Sequence, residues 1–192
     1  MSREKGVDPM VFPILETERL RLVEIEQSYC QKIYEIFSLD EVTCYYGMNS
    51  FTEFGQASRM IESFSKNYFE KKAIRWGIVL KETNTLIGTI GLNNLQLWSK
   101  RSEIGYDLHP RYWGNGYASE AAREIIHYGF RDLGLFRIGA ITYPENVTSC
   151  KMLSKIGFQK EGLLRGYIHQ GNKQHDALLY SIVRTDVENI NL

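Results

Sequence analysis

The chain has 192 residues and a mass of 22.3 kDa, which favours one domain able to bury a substantial core without disulfides or metal. Hydrophobic residues make up 43% and charged residues 24%, an ordinary globular mixture that excludes a disordered chain. Lys and Arg number 23 and Asp and Glu 23, so the formal charge is zero and no direct nucleic-acid binding is expected.

Cys30, Cys44 and Cys150 are odd in number and form no C-x-x-C pair, which argues against a disulfide framework and against a zinc site; no metal is expected. Reduced cysteines point to the cytoplasm. The N-terminal stretch is short in apolar residues, broken by Pro13 and followed by charges, unlike a signal peptide. No run reaches the ~18 apolar residues of a membrane helix, so no membrane partner is expected.

Residues 1–10 read as a flexible arm ahead of a single domain. Leu20 and Leu22 alternate with Arg19 and Arg21, which predicts a first strand between Ile14 and Ile25. Ile33, Ile36 and Phe37 predict a helix over 28–38 with Ser28 as its N-cap. Ser50-Phe51-Thr52-Glu53 has the pattern of a capping box and predicts a second helix to about Lys71. Three strands follow: one alternating at Ile74, Trp76, Ile78 and Leu80, one at Leu86, Gly88, Ile90 and Leu92, and one at Ile104, Tyr106 and Leu108. Short turns between them predict an antiparallel meander, and the glycines of the middle strand suggest a bulge or a close backbone approach. The strongest helical period runs over 114–133, closed by Gly134. A strand at 136–143, a helix at 146–156 capped by Asn146, and two strands about a Gly171-Asn172 turn complete the order. This is an α/β (α+β) chain: a mixed, mostly antiparallel central sheet of about seven strands with flanking helices.

The chemically informative stretch is Arg111-Tyr112-Trp113-Gly114-Asn115-Gly116-Tyr117-Ala118-Ser119, between a strand and the best helix. Glycines let a backbone approach a ligand closely, and the first N–H groups of a helix lack internal partners. With the helix dipole they suit a pyrophosphate, and Arg111 adds a cation. A P-loop is a weak reading because no Gly-Lys-Ser/Thr occurs, and a dinucleotide fingerprint is weak because it would need glycine at Ser119.

The R-x-x-G-x-G run at 111–116 resembles motif A of the GNAT superfamily of acetyl-CoA-dependent N-acyltransferases. The segments ETERLRL (16–22), EIGYDLHPRYWGNGYASEA (103–121), GLFRIGA (134–140), PENVTSCKMLSKIGF (144–158) and EGLLR (161–165) resemble its RimJ/RimL-type branch, which includes acetyltransferases of ribosomal-protein N-termini. The resemblance implies a GNAT-like acyl-CoA N-acyltransferase fold in which the strands at 102–108 and 136–143 run parallel and splay at a bulge. Pantetheine of acetyl-CoA would enter that gap along main-chain groups of Asp107 and Leu108, and the pyrophosphate would meet the amides from Trp113 to Ala118. It implies direct transfer of acetyl to an amine.

Glu103 is the first candidate base and Glu161 the second. Asn146 would cap its helix and touch pantetheine. Ser149, one turn on, matches the position expected to bond the cofactor sulfur and protonate the thiolate, where many relatives use tyrosine. The N–H near Leu108 is the expected oxyanion donor. The expected acceptor is a protein N-terminal α-amine, possible partners including a ribosomal protein N-terminus, with a small amine or a non-catalytic acyl-CoA-binding module as alternatives. A homodimer is left open. Cys150 reads as a packing residue, and His109, His127, His169 and His175 show no metal-ligand spacing.

Overall fold

Residues 11–190 are described in a computed structural model of the chain; the expected arm at 1–10 lies outside them. The chain runs β1 (Leu15–Glu16), β2 (Leu20–Glu24), α1 (Cys30–Phe37), α2 (Asp40–Thr43), α3 (Phe54–Phe69), β3 (Ile74–Leu80), β4 (Thr85–Gln96), β5 (Arg101–Leu108), α4 (Tyr117–Arg131), β6 (Arg137–Thr142), α5 (Val147–Lys155), β7 (Gln159–Gln170), β8 (Lys173–Val183) and α6 (Arg184–Ile190). The strands form one eight-stranded sheet in the order β1-β2-β3-β4-β5-β6-β8-β7. Its pairs are antiparallel except β5 with β6.

The eighth strand, beyond the expected seven, comes from the first predicted strand. It breaks at Thr17, and the two residues of β1 fold back on β2. Two helix starts also differ. Ser28 lies inside a 3-10 turn, Gln27–Tyr29, and α1 begins at Cys30. The capping box sits three residues later than Ser50: the Glu53 amide donates to Gln56 Oε1 at 2.8 Å, so Glu53 is the N-cap of α3. Ser50 instead bonds Thr43 at 2.6 Å, tying down α2, a helix whose four residues are too few to show a period. The long helix starts at Tyr117, and α6 was not expected.

Alternation divides the core into two layers. Leu20, Leu22, Trp76, Ile78, Ile90, Leu92 and Ile104 meet Ala121, Ala122, Ile125 and Ile126 of α4 on one face. Val79 and Leu86 meet Ile33, Ile36, Phe37, Ala57 and Ile61 of α1 and α3 on the other. Each fully buried Leu or Ile side chain contributes about 1.5–3 kcal/mol, so the sheet is held from both sides. Among the described residues no helix is long and apolar enough to cross a membrane.

Two backbone irregularities shape the middle of the sheet. Gly88 follows a register break between β3 and β4, and a Cβ there would lie 2.2 Å from the Asp107 carbonyl oxygen. Only glycine lets the two strands approach so closely. The β4–β5 register also shifts between Asn93 and Gln96, where β4 carries one extra residue and Asn94 has a φ of 48°. This second bulge sits opposite Glu103.

The parallel pairing of β5 and β6 is confined to Arg101↔Arg137, Ser102↔Ile138 and Glu103↔Gly139. Beyond Glu103, β5 stays with β4 as far as Leu108, while β6 stays with β8 as far as Thr142. The two strands therefore part, and a wedge opens between them where the splay was expected.

Candidate active site

A cleft of about 380 Å³ occupies this wedge. Glu103, Ile104, Gly105 and Tyr106 line one side, and Ala140, Ile141, Thr142, Asn146 and Ser149 the other. Tyr45, Tyr46, Arg75 and Asn93 reach it from the α2–α3 loop and the neighbouring strands. The topology brings β5, β6 and the start of α5 together here, so residues far apart in sequence share one cavity.

The glycine loop leads from β5 to the N-terminus of α4. Gly114 and Gly116 have φ of 77° and 79°, a conformation that costs other residues about 1 kcal/mol or more. The first amide of the helix to meet a main-chain carbonyl is that of Glu120, which donates to Gly116 at 3.0 Å. Among the described residues no main-chain carbonyl accepts from the amides of residues 114–119. Six successive donors at the positive end of a helix dipole make a binding site for an anion of phosphate type. Arg111 is exposed beside them.

Other residues of this turn serve to brace it. Tyr112 packs on the core, and the Trp113 indole donates to the Leu108 carbonyl at 2.8 Å. The Asn115 side chain donates through Nδ2 to the carbonyl of Trp113 at 3.1 Å. Arg19, which the sequence reading placed only on a strand, stacks 4.5 Å over the Tyr117 ring and pairs with Glu120 at 2.7 Å. Burial opposes the charge on Glu120, but hydrogen bonds from Thr17 and Arg19 outweigh it and lower its pKa.

Ser149 and Asn146 lie together as expected. Asn146 is the N-cap of α5, its Oδ1 accepting from the Ser149 amide at 3.1 Å. The Ser149 hydroxyl is 2.7 Å from that of Tyr106. Burial pushes the Tyr106 phenol up to about 12, only partly opposed by the hydrogen bond with Ser149. Sequence reasoning missed Tyr106, because alternation with Ile104 and Leu108 marks it as core, and its ring does pack there. Cys150 also packs against that core.

Glu103 lines the cleft, and Asn94 on the bulge donates to its Oε2 at 2.9 Å. Behind it lies a buried ionic cluster. Arg75 Nη2 is 2.6 Å from Asp107 Oδ2, with side-chain exposures of 4% and 2%. Arg75 also donates to Thr89 at 2.8 Å, to the Gly105 carbonyl at 3.0 Å and to the Tyr46 hydroxyl at 2.9 Å. Thr89 donates to Asp107 through its amide at 3.1 Å and its hydroxyl at 2.6 Å. Burial pushes the Asp107 carboxyl up, against the pull of Arg75 and Thr89. The Asp107 side chain is thus structural, leaving only its main chain for a ligand. Arg75 carried no sequence signal beyond being a charge in an apolar strand.

Glu161 is not among the residues lining the cleft. It forms a two-pronged ion pair with Arg137, Oε1 accepting at 2.7 Å, and Oε1 also accepts from Ser181 at 2.7 Å. The Arg137 hydrogen bonds, aided by Ser181, lower its pKa to about 2. A carboxylate so stabilised is a poor proton acceptor, which weighs against Glu161, the second candidate base, and leaves Glu103 the better placed of the two.

An acetyltransferase (GNAT) domain model matches residues 19–159. The chain belongs to the GNAT family. It is 47% identical over 174 residues to a Bacillus subtilis (strain 168) protein called uncharacterized N-acetyltransferase YoaA, covering 91% of this chain and 98% of that protein. The crystal structure of a GNAT-family acetyltransferase from Bacillus anthracis superposes with a TM-score of 0.79 at 28% identity, over 89% of this chain and 98% of that one. RimL, the ribosomal L7/L12 alpha-N-protein acetyltransferase solved with coenzyme A, shares the fold with a TM-score of 0.78 at 17% identity, over 89% of this chain and 98% of that one. The protein is therefore an N-acetyltransferase with the mixed α/β GNAT fold. In this acetyltransferase, the unpaired amides of 114–119 suit an anion of phosphate type, and the wedge beyond Glu103 has room for an extended chain.

Proposed function

We propose that this acetyltransferase transfers acetyl directly from acetyl-CoA to the N-terminal α-amine of a protein, with a ribosomal protein as the acceptor class, in the cytoplasm. The observation that carries the transfer is the row of unpaired amides at 114–119 next to the stretch of β5 that has left β6. The acceptor rests on the resemblance of five linked segments to the RimJ/RimL-type branch and on the nucleophile's chemistry. An α-amine has a reference pKa of roughly 7.7–8.0, against ~10.4 for lysine, so a modest base suffices. Among the described residues Glu103 is the carboxylate that lines the cleft, while Asp107 lies buried behind it, paired with Arg75. One half-buried carboxylate fits a monoamine better than a polycation.

In this reading the amides of Trp113 to Ala118, with Arg111, hold the pyrophosphate. Main-chain groups of Asp107 and Leu108, with Asn146, hold the pantetheine. The His109 amide donates to Ile87 on β4 at 2.9 Å, so alternation turns the Leu108 amide the other way, into the gap, as oxyanion donor. Glu103 takes the amine proton, directly or through water, as the N–C bond forms. Ser149 gives its hydroxyl proton to sulfur as the C–S bond breaks, and cleft water restores it. No acyl-enzyme forms.

Purified protein incubated with acetyl-CoA, peptides bearing free N-termini and small amines tests this by release of free CoA. Acetylated peptide α-amines support it. Turnover only with small amines overturns the acceptor, and binding without turnover overturns the enzyme reading. Glu103→Gln is expected to lower kcat at least tenfold and to move its pH profile. An unchanged profile removes Glu103 as base.

A further inference from the structure

The hydrogen bond between Tyr106 and Ser149 joins the two sides of the wedge. Tyr106 stands on β5 three residues beyond the last residue paired with β6, and Ser149 stands in the first turn after β6. The two hydroxyls are 2.7 Å apart, and both residues line the cleft. A hydroxyl has one hydrogen and can accept two bonds. The pair therefore holds two hydrogens, one of which lies between the oxygens. Phenol is the stronger acid of the two, so it is the better donor. When Tyr106 donates, the serine hydrogen is displaced from the shared bond and is available to the cleft.

We infer that Tyr106 is a positioning residue for the transfer step: its hydroxyl donates to Ser149 Oγ, aims the serine hydrogen at the departing sulfur, and offsets the negative charge that grows on Oγ as that hydrogen leaves. The inference rests on the reading of Ser149 as the group that protonates the thiolate. Tyr106 keeps its own proton throughout. The proton that reaches sulfur comes from Ser149, and cleft water returns one to Oγ while the amine proton departs.

Three features hold the pair in register. The Ser149 amide is fixed by Asn146, so the serine backbone cannot swing away. The Tyr106 ring is packed against the core, which restricts where its hydroxyl can reach. Its high pKa keeps the phenol protonated, and so a donor, across the range in which an α-amine is neutral. An isolated serine is a weak acid, and a charge-stabilising donor on its oxygen is what such a group needs.

The test is a double-mutant cycle with Tyr106→Phe, Ser149→Ala and both together, read as kcat, KM for acetyl-CoA, CoA affinity by calorimetry, and Tm. Phenylalanine keeps the packed ring and removes one oxygen, so folding is retained. Each single variant is expected to lose about tenfold in kcat, equal to about 1.4 kcal/mol of barrier, with KM and CoA affinity within about twofold. The double variant is expected to be no slower than Ser149→Ala, since Tyr106 acts only through the serine. Losses that multiply, or a loss confined to KM, overturn the inference in favour of a merely structural contact. Parental kcat in Tyr106→Phe beside a slow Ser149→Ala overturns the inference alone. Parental kcat in Ser149→Ala overturns the role of Ser149 itself and, with it, this inference.

Discussion

Arg19 donates through Nη1 to the Asn115 carbonyl at 3.0 Å, across 96 residues of chain. The bond ties β2's approach to the middle of the glycine loop. Arg19 also donates through Nε to Glu120 at 2.7 Å, and Glu120 accepts from the Arg19 amide at 2.9 Å. One side chain thus engages a loop carbonyl and the first turn of α4. A carbonyl held by Arg19 is kept from turning toward an anion at the neighbouring amides, and the guanidinium adds positive potential behind them.

Arg19→Ala is therefore expected to weaken acetyl-CoA binding more than it slows chemistry. The side chain is 42% exposed, so solvent screening limits its contribution to about 1 kcal/mol. That corresponds to a rise of about fivefold in KM for acetyl-CoA, with kcat within about twofold. Steady-state kinetics at varied acetyl-CoA check it. A fall confined to kcat would contradict the bracing role.

The Arg75–Asp107 pair makes a different prediction, because it is buried. Asp107→Ala leaves the guanidinium with Thr89, Tyr46 and the Gly105 carbonyl but no counter-charge. Removing one partner of a buried pair costs roughly 3–5 kcal/mol. For a chain of this size that is a fall in Tm on the order of 10 °C, measurable by calorimetry. A change of only a degree or two would show that water reaches the cluster and that its burial is not what holds β5 in place.

These two arginines show where the sequence was readable. Leu20, Trp76, Ile90 and Ile125 follow the periods of strand and helix, so the sheet, its flanking helices and the meander were legible from burial alone. The glycine loop was legible because positive φ and free amides leave a residue-type signature at Gly114 and Gly116. Pairings across long distances were not. Arg19 looks like any charge on a strand, and nothing local couples it to Asn115. Tyr106 obeys the core alternation, which hides the hydroxyl that reaches Ser149. Glu161 stood in a motif-like segment, but only the fold shows that Arg137 and Ser181 hold it. Short α2 and the split of β1 from β2 fall below the length at which a period can be recognised.

Glu161 supplies the last prediction, in stability rather than in rate. Its folded pKa is lowered to about 2 by Arg137 and Ser181, from an ordinary value of 4.5. A lowered carboxylate pKa means that the unfolded chain binds the proton more readily. The stabilisation is thus fully present above about pH 4.5 and is lost as pH falls through about 2. The two side chains are 35% and 36% exposed, so after screening the contribution is about 1 kcal/mol or less. Urea unfolding of Glu161→Gln is expected to show that deficit at pH 7 and to converge on the parent near pH 2, while kcat and KM at pH 7 stay within about twofold. If the variant instead unfolds like the parent at every pH but turns over tenfold more slowly, Glu161 acts in catalysis and the ion pair is incidental.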